Sequence, residues 1–317
     1  MKSHGILRRG AVARTLALAL GMALLCGGAP AQSARAASAN MPDAVASAAS
    51  VKVLAAHPVV HALTQRLTED SGIVLERAAP ANLPPTRMAS YFAGRGAKQL
   101  ARMASGADAV IGLRSIWPDD PLYPLARRNN IRIVEIDAAR PVDGALPGIA
   151  LREDSDERDY PWLNPVNLGR MADIIAADLE RLAPAARPAM QDKLAAFKRE
   201  LVRVSAEAEA KLALLDDVSV ASLSDRLDYF VAGLNLDMAL RDARPDEEWS
   251  AAELDGFGDR IKALGVKVVL HHREPPAAIR KAIADAGGRL VVLDTEQQDP
   301  AAQLQAMVQS LLAAFQP

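Results

Sequence analysis

Tyr160-Pro161-Trp162-Leu163-Asn164-Pro165 stands at mid-chain, and the reading of everything on either side turns on what it begins. Pro165 suits the first turn of a helix, where its missing N–H would have no intrahelical partner anyway. Leu168, Met171, Ile174, Ile175, Leu179 and Leu182 follow at steps of three and four, which places them on one helical face. Ala183-Pro184 interrupts that helix. Pro188 to Leu215 then runs on with Met190, Leu194, Phe197, Leu201, Val204, Ala208 and Leu212 as its stripe. A helix of roughly 28 residues rises roughly 42 Å, enough to run the height of a two-domain protein.

Both flanks of this helical centre alternate apolar strands with helical stretches, the pattern of parallel βα units. Before it, strands are expected at Val51–Ala56, Ile73–Leu75, Ala109–Leu113 and Ile131–Ile136, with helices at Val59–Asp70, Arg95–Ser105 and Tyr123–Asn129. Ala78 to Thr86, with Pro80, Pro84 and Pro85, reads as a loop. After the centre, strands are expected at Val218–Leu223, Val266–Leu270 and Arg289–Leu293. Helices are expected from Asp228, over Ala251–Leu264 and Pro275–Asp285, and in a closing segment at Ala301–Phe315. The fold class is therefore α/β, with two α/β lobes joined by a long rigid backbone helix.

The stretch from Tyr160 to Pro165 resembles the His-x-Trp-Leu-(Asp/Ser)-Pro element of the substrate-binding proteins of zinc and manganese ABC importers, the ZnuA/TroA-like family. Ser105-Gly106-Ala107-Asp108-Ala109-Val110 is similar to that family's "ADLV" strand. Leu223-Ser224-Asp225-Arg226-Leu227-Asp228-Tyr229-Phe230 is similar to its "FHDAFGYF", and Leu290-Val291-Val292-Leu293-Asp294 to its late strand ending in "LD". The resemblance spans most of the chain after its leader. It implies a periplasmic solute-binding protein that carries zinc or manganese as transported ligand, with an ABC permease of the inner membrane as partner. It also implies little domain motion on binding, since a continuous helix resists hinge bending.

The ends and composition fit that setting. Residues 1–36 read as a secretory signal peptide: Lys2, Arg8, Arg9 and Arg14, an apolar run at Thr15–Leu25, and small residues with Ala34-Arg35-Ala36 as one cleavage site and Ala29-Pro30-Ala31 as another. Cys26 is the only cysteine, and Leu25 before it disfavours a lipid anchor. The expected division is a flexible leader over 37–50, an N-terminal lobe over 51–165, connecting helices over 166–215 and a C-terminal lobe over 216–317. Localisation in the periplasm as a monomer is expected. A net charge of -2, from 37 basic and 39 acidic side chains, offers no basic field for nucleic acid. No nucleophile elbow, P-loop, zinc-protease helix or dinucleotide fingerprint is present, so the chain is read as a non-enzyme.

The family's metal is held between the lobes by histidines and one or two carboxylates, a donor set suited to Zn²⁺ or Mn²⁺. In this sequence the positions resembling those histidines hold Thr86 or Phe92, Tyr160 and Ser224, which reads as a degenerate metal site. Asp294 matches the carboxylate, with Asp225, His271 and His272 as the further metal candidates. Adjacent residues on an extended chain face opposite ways, so at most one of the two histidines faces the cleft. His57 and His61 flank the first strand–helix turn and read as helix-start and helix-face residues. Asp154-Ser155-Asp156-Glu157 reads as a solvated acidic loop. Tyr160, Trp162, Ser224, Arg87 and Tyr91 are candidate ligand contacts, and arginines with aromatic rings suit carboxylates and flat rings. The ligand expected is thus a metal ion or a metal chelate. A small organic anion and a non-transport interaction module are the alternatives, and an exported enzyme is disfavoured.

Overall fold

Strand β1 (Lys52–Ala55) lies at the middle of a parallel sheet ordered β2-β1-β3-β4, with β2 at Val74–Arg77, β3 at Ala109–Gly112 and β4 at Val134–Asp137. A second parallel sheet is ordered β6-β5-β7-β8, with β5 at Ser219–Ser222, β6 at Asp237–Arg241, β7 at Val268–His271 and β8 at Arg289–Val292. The computed structural model describes residues 50–316, apart from 143, 145, 154, 156–158, 297 and 298. The signal peptide over 1–36 and all but the last residue of the leader lie outside the described residues, as do Asp154, Asp156 and Glu157 of the acidic loop.

Helices cover both faces of each sheet, which is why the central strands are apolar throughout rather than alternating. In the first lobe these are α1 (Pro58–Thr68), α2 (Met88–Ala93), α3 (Ala97–Ser105) and α4 (Leu122–Asn129). In the second they are α7 (Asp228–Gly233), α8 (Ala251–Ala263), α9 (Ala277–Asp285) and α10 (Pro300–Phe315). Between the lobes run α5 (Pro165–Leu182) and α6 (Arg187–Leu212).

Helix α6 has 26 residues, about 39 Å at 1.5 Å per residue. Its buried side chains are Met190, Leu194, Phe197, Leu201, Val204, Ala208 and Leu212, the stripe legible in the sequence. That stripe packs against α1 of one lobe, α10 of the other, and α5. One hydrophobic core therefore runs through both lobes, from Val53 and Ile111 to Leu270 and Leu311. Smaller cores fill the outer faces, around Phe92 and Leu122 in the first lobe and around Phe257 and Ile261 in the second.

Some elements differ from the sequence reading. The long helix stops at Leu212, and Leu214 is 84% exposed although apolar. Strand β4 begins at Val134, leaving Ile131 exposed. Strand β6 and helix α2 have no counterpart in the sequence-based expectation.

The hexapeptide that decides the fold forms a short 3-10 turn, Pro161–Leu163, leading into α5. The Asn164 side chain caps that helix, accepting from the Val166 N–H at 2.9 Å. Trp162 and Leu163 are buried in the shared core. Buried Asn167 fixes the incoming segment: its amide donates to Ala150 O (2.8 Å) and Pro161 O (3.1 Å) and accepts from Ala150 N–H (2.9 Å).

Candidate functional site

In each sheet the chain leaves the first strand toward one edge and returns on the other side, so the loops after β1 and β3 part, as do those after β5 and β7. Ligands of open α/β sheets sit beyond the carboxyl ends of the strands at such switch points. Here both switch points line one cleft of about 590 Å³. From the first lobe it takes His57 after β1 and Leu113, Ile116, Trp117 and Asp119 after β3. From the second it takes Asp225 and Arg226 after β5, and His272 and Arg273 after β7. Tyr160, Pro161 and Trp162 form the wall between the lobes, and Pro84, Pro85, Thr86 and Ala89 close one side. An adjoining cavity of about 240 Å³ shares His57, Pro84, Tyr160, Trp162 and Glu296.

The loop after β3 is held by Asp120, whose buried carboxylate accepts from Leu113 N–H (3.0 Å) and Leu122 N–H (3.1 Å). Burial pushes that carboxyl's pKa up against those hydrogen bonds. Gly112 leaves room for it, since a Cβ there would lie 2.6 Å from Asp120 Oδ2. The segment entering the cleft wall is pinned to the second lobe. Asp228, 4% exposed, binds Arg152 and Arg241, and the Tyr229 hydroxyl accepts from Arg152 N–H at 3.0 Å and meets Ser155 Oγ at 2.8 Å.

A ladder of rings crosses the cleft. His57 lies edge-on to Trp162 (centroids 4.9 Å) and to Trp117 (6.0 Å); Trp162 tilts on Tyr160 (4.8 Å). The Arg226 guanidinium caps the Tyr160 ring at 4.9 Å and pairs with Glu296 at 2.8 Å. His57 is 6% exposed and its Nδ1 has no hydrogen-bond partner. Burial lowers its pKa to about 3, so the ring is neutral. His272 is also lowered to about 3, first by burial and then by Arg226, His271 and Arg273, and its Nδ1 is likewise buried without a partner. Burial raises the Tyr160 phenol against the pull of Arg226, so it stays protonated. A neutral phenol is a weak donor to Zn²⁺ or Mn²⁺.

His271 ends β7 and faces away from the cleft. Its Nε2 meets Asp246 Oδ1 at 3.0 Å and its Nδ1 accepts from His272 N–H at 2.8 Å, which puts the ring proton on Nε2. Burial acts to raise the Asp246 pKa, but the hydrogen bonds from His271 and Arg273, with the charge of Arg273, outweigh that effect and lower it. The pair thus fixes the backbone from which His272 reaches the cleft.

Of the residues singled out in the sequence, the structure brings together Tyr160, Trp162, Asp225 and His272. Ser224 is buried beside them, its Oγ without a partner and outside the lining. Asp294 is exposed after edge strand β8 and accepts from Glu296 N–H at 2.9 Å; Glu296, not Asp294, reaches the cleft. Arg87 is exposed on the turn before α2, and Tyr91 packs against Phe92 and Arg95; neither lines the cleft, although their neighbours Thr86 and Ala89 do. Sequence reasoning missed the place of His57 and of Arg226. The signal for both was position, since each follows a strand that borders a switch point. Among the described residues no group of three or more His, Cys, Asp or Glu is placed to hold a metal ion.

Two parallel α/β lobes on a shared long helix, with a cleft at facing switch points, define a two-lobed, helix-backed solute-binding protein. The chain belongs to the ZnuA family: residues 101–316 match the family described as "Zinc-uptake complex component A periplasmic". It is a metal-binding solute receptor by family, not an enzyme. A crystal structure of ZnuA superposes with a TM-score of 0.64 at 23% identity, covering 84% of this chain and 100% of that one. Zn(II)-bound AdcA from Streptococcus pneumoniae gives 0.64 at 16% identity, with 84% and 58% covered. FpvC from Pseudomonas aeruginosa in complex with Mn²⁺ gives 0.63 at 18% identity, with 84% and 98% covered. No curated protein matches. Among the described residues no helix is long and apolar enough to cross a membrane.

Proposed function

We propose that this protein is the periplasmic solute-binding component of an ABC importer. It captures a transition metal of the zinc and manganese class, as an ion or within a complex, and hands it to a permease in the inner membrane. The observation that carries the reading is the cleft at the two facing switch points, with one neutral imidazole from each lobe, His57 and His272, whose buried Nδ1 atoms have no hydrogen-bond partner. Neutral imidazole is the form that binds metal. The Asp225 carboxylate lines the same cleft and is a further oxygen donor within it. The likeness to zinc- and manganese-bound structures supports the same ligand class.

The family positions at Tyr160 and Ser224 are read as retuned, with the donors moved to neighbouring loops. The test is metal content of the mature, untagged protein purified from periplasm without chelators, followed by thermal unfolding with added Zn²⁺, Mn²⁺ and Ni²⁺ salts and complexes. A ligand that binds only the folded state raises the midpoint with its concentration. Near-stoichiometric metal, or a concentration-dependent rise lost in His272→Ala, is expected. Metal-free protein that no metal in any form stabilises would refute the reading.

A further inference from the structure

The position that resembles the family's metal-binding histidine is filled by Tyr160, and the ground in front of its ring is already held by a positive charge. Arg226 sits over the ring at 4.9 Å, and Arg273 lines the same cleft beside His272. Each guanidinium already holds a carboxylate, Arg226 that of Glu296 and Arg273 that of Asp246, so both are set up to pair with carboxylate oxygens and can exchange a partner for one on a ligand. A ligand that brings its own carboxylates can use these groups, because guanidinium pairs with carboxylate through paired, charge-assisted hydrogen bonds.

The cleft's own Glu296 shows how. Its carboxylate holds Arg226 at 2.8 Å from an exposed position at the rim, where an incoming carboxylate can take its place. The size fits as well. A cavity of about 590 Å³ is far larger than an ion needs and falls in the range of small-molecule sites. Its walls, Trp117, Tyr160, Trp162 and Pro85, offer apolar and aromatic surface that an aquo ion cannot use.

We infer that the cleft takes its metal as a complex with a small carboxylate-bearing organic molecule, with His272 donating to the metal and Arg226 binding a carboxylate of the complex. His57, from the opposite lobe, meets the far side of the same ligand and makes its binding depend on both lobes. The inference rests on the importer reading and narrows it. Asp119, Asp159 and Asp225 also line the cleft and are the groups through which a bare ion would bind instead.

The experiment is calorimetric titration of the mature protein with zinc chloride, zinc citrate and zinc nitrilotriacetate, and with citrate and nitrilotriacetate alone. At least one complex is expected to bind tenfold or more tightly than zinc chloride. Arg226→Gln should abolish that ratio while leaving zinc chloride binding equal or stronger. Glu296→Gln, which frees Arg226, should strengthen the complex and guards against misreading a folding defect. Zinc chloride binding as tightly as both complexes, or a ratio unchanged in Arg226→Gln, would overturn the inference and leave the importer reading standing. No binding by zinc in any form would overturn the inference, while the importer reading would be decided by the Mn²⁺ and Ni²⁺ measurements.

Discussion

Gly233→Ala tests the junction on which the whole architecture depends. Gly233 ends α7, and a Cβ built on it lies 2.9 Å from Pro165 Cδ and 3.1 Å from both Asn164 Cα and Asn164 Cγ. None of these atoms can swing aside: one belongs to a proline ring, one to the backbone, and one to a side chain committed to the Val166 N–H. The added methyl must push the second lobe's α7 away from the start of α5. Overpacking of this kind costs about 1–3 kcal/mol, and the gain in helix propensity offsets at most about 1 kcal/mol. The net loss of about 1–2 kcal/mol corresponds to a fall of about 2–6 °C in Tm for a chain of this size. Gly256, exposed inside α8 with nothing within 4 Å of its Cβ position, is the matched control. Gly256→Ala should gain about 0.5–1 kcal/mol through propensity alone. Thermal and urea unfolding followed by circular dichroism reads both. If Gly233→Ala melts at or above the parent, or the two variants shift alike, the close packing of α7 on the Asn164-Pro165 corner is refuted.

Acid should destabilise the protein through its buried neutral histidines. His57 titrates near 3 in the fold against an ordinary 6.5, so the unfolded chain binds the extra proton; its contribution is complete above about pH 6.5 and is lost as pH falls toward 3. At pH 4.5 that amounts to about 2–3 kcal/mol. The gap between urea midpoints at pH 7 and pH 4.5 should shrink in His57→Gln, and an unchanged gap counts against it. Asp228→Ala removes a buried carboxylate shared by two partly exposed arginines, Arg152 and Arg241. A loss of about 2 kcal/mol is expected once solvent screening is allowed for, together with faster amide exchange at Arg152; unaltered exchange there would contradict the pinning of this segment. Phe197→Ala empties the middle of the α6 stripe and should cost about 3–5 kcal/mol in urea unfolding; a loss below about 1 kcal/mol would mean the stripe is not the shared core.

Much of the fold was legible because its long elements bury whole faces. The α6 stripe and the apolar central strands leave no other way to hide their surface, so period alone places them. Strand β6 escaped because Asp237-Met238-Ala239-Leu240-Arg241 has no β-branched residue and lies at a sheet edge, where its register against β5 shifts at Val220/Ala221. Helix α2, with six residues, is too short for period to show. The end of α6 was overrun because Leu214 extends the apolar pattern while facing solvent.

The site was harder to read because it depends on strand order, which no local pattern encodes. Asp294 follows a strand end as a ligand should, but β8 is the outermost strand of its sheet, away from the parting of the β5 and β7 loops. His57 follows β1, which borders the switch point, and so reaches the cleft despite looking like an ordinary helix start. His271 and His272 separate because the strand's alternation turns one inward to Asp246 and the other to the cleft.

The most direct test of the central claim is anomalous diffraction, at the edge of whichever metal elemental analysis finds, on crystals of protein purified from periplasm. A single strong peak is predicted inside the cleft bounded by His57, Tyr160, Arg226 and His272, within bonding distance of the His272 imidazole. A peak held by Asp294 and His271 away from that cleft, or a cleft without metal in protein that carries stoichiometric metal elsewhere, would contradict it.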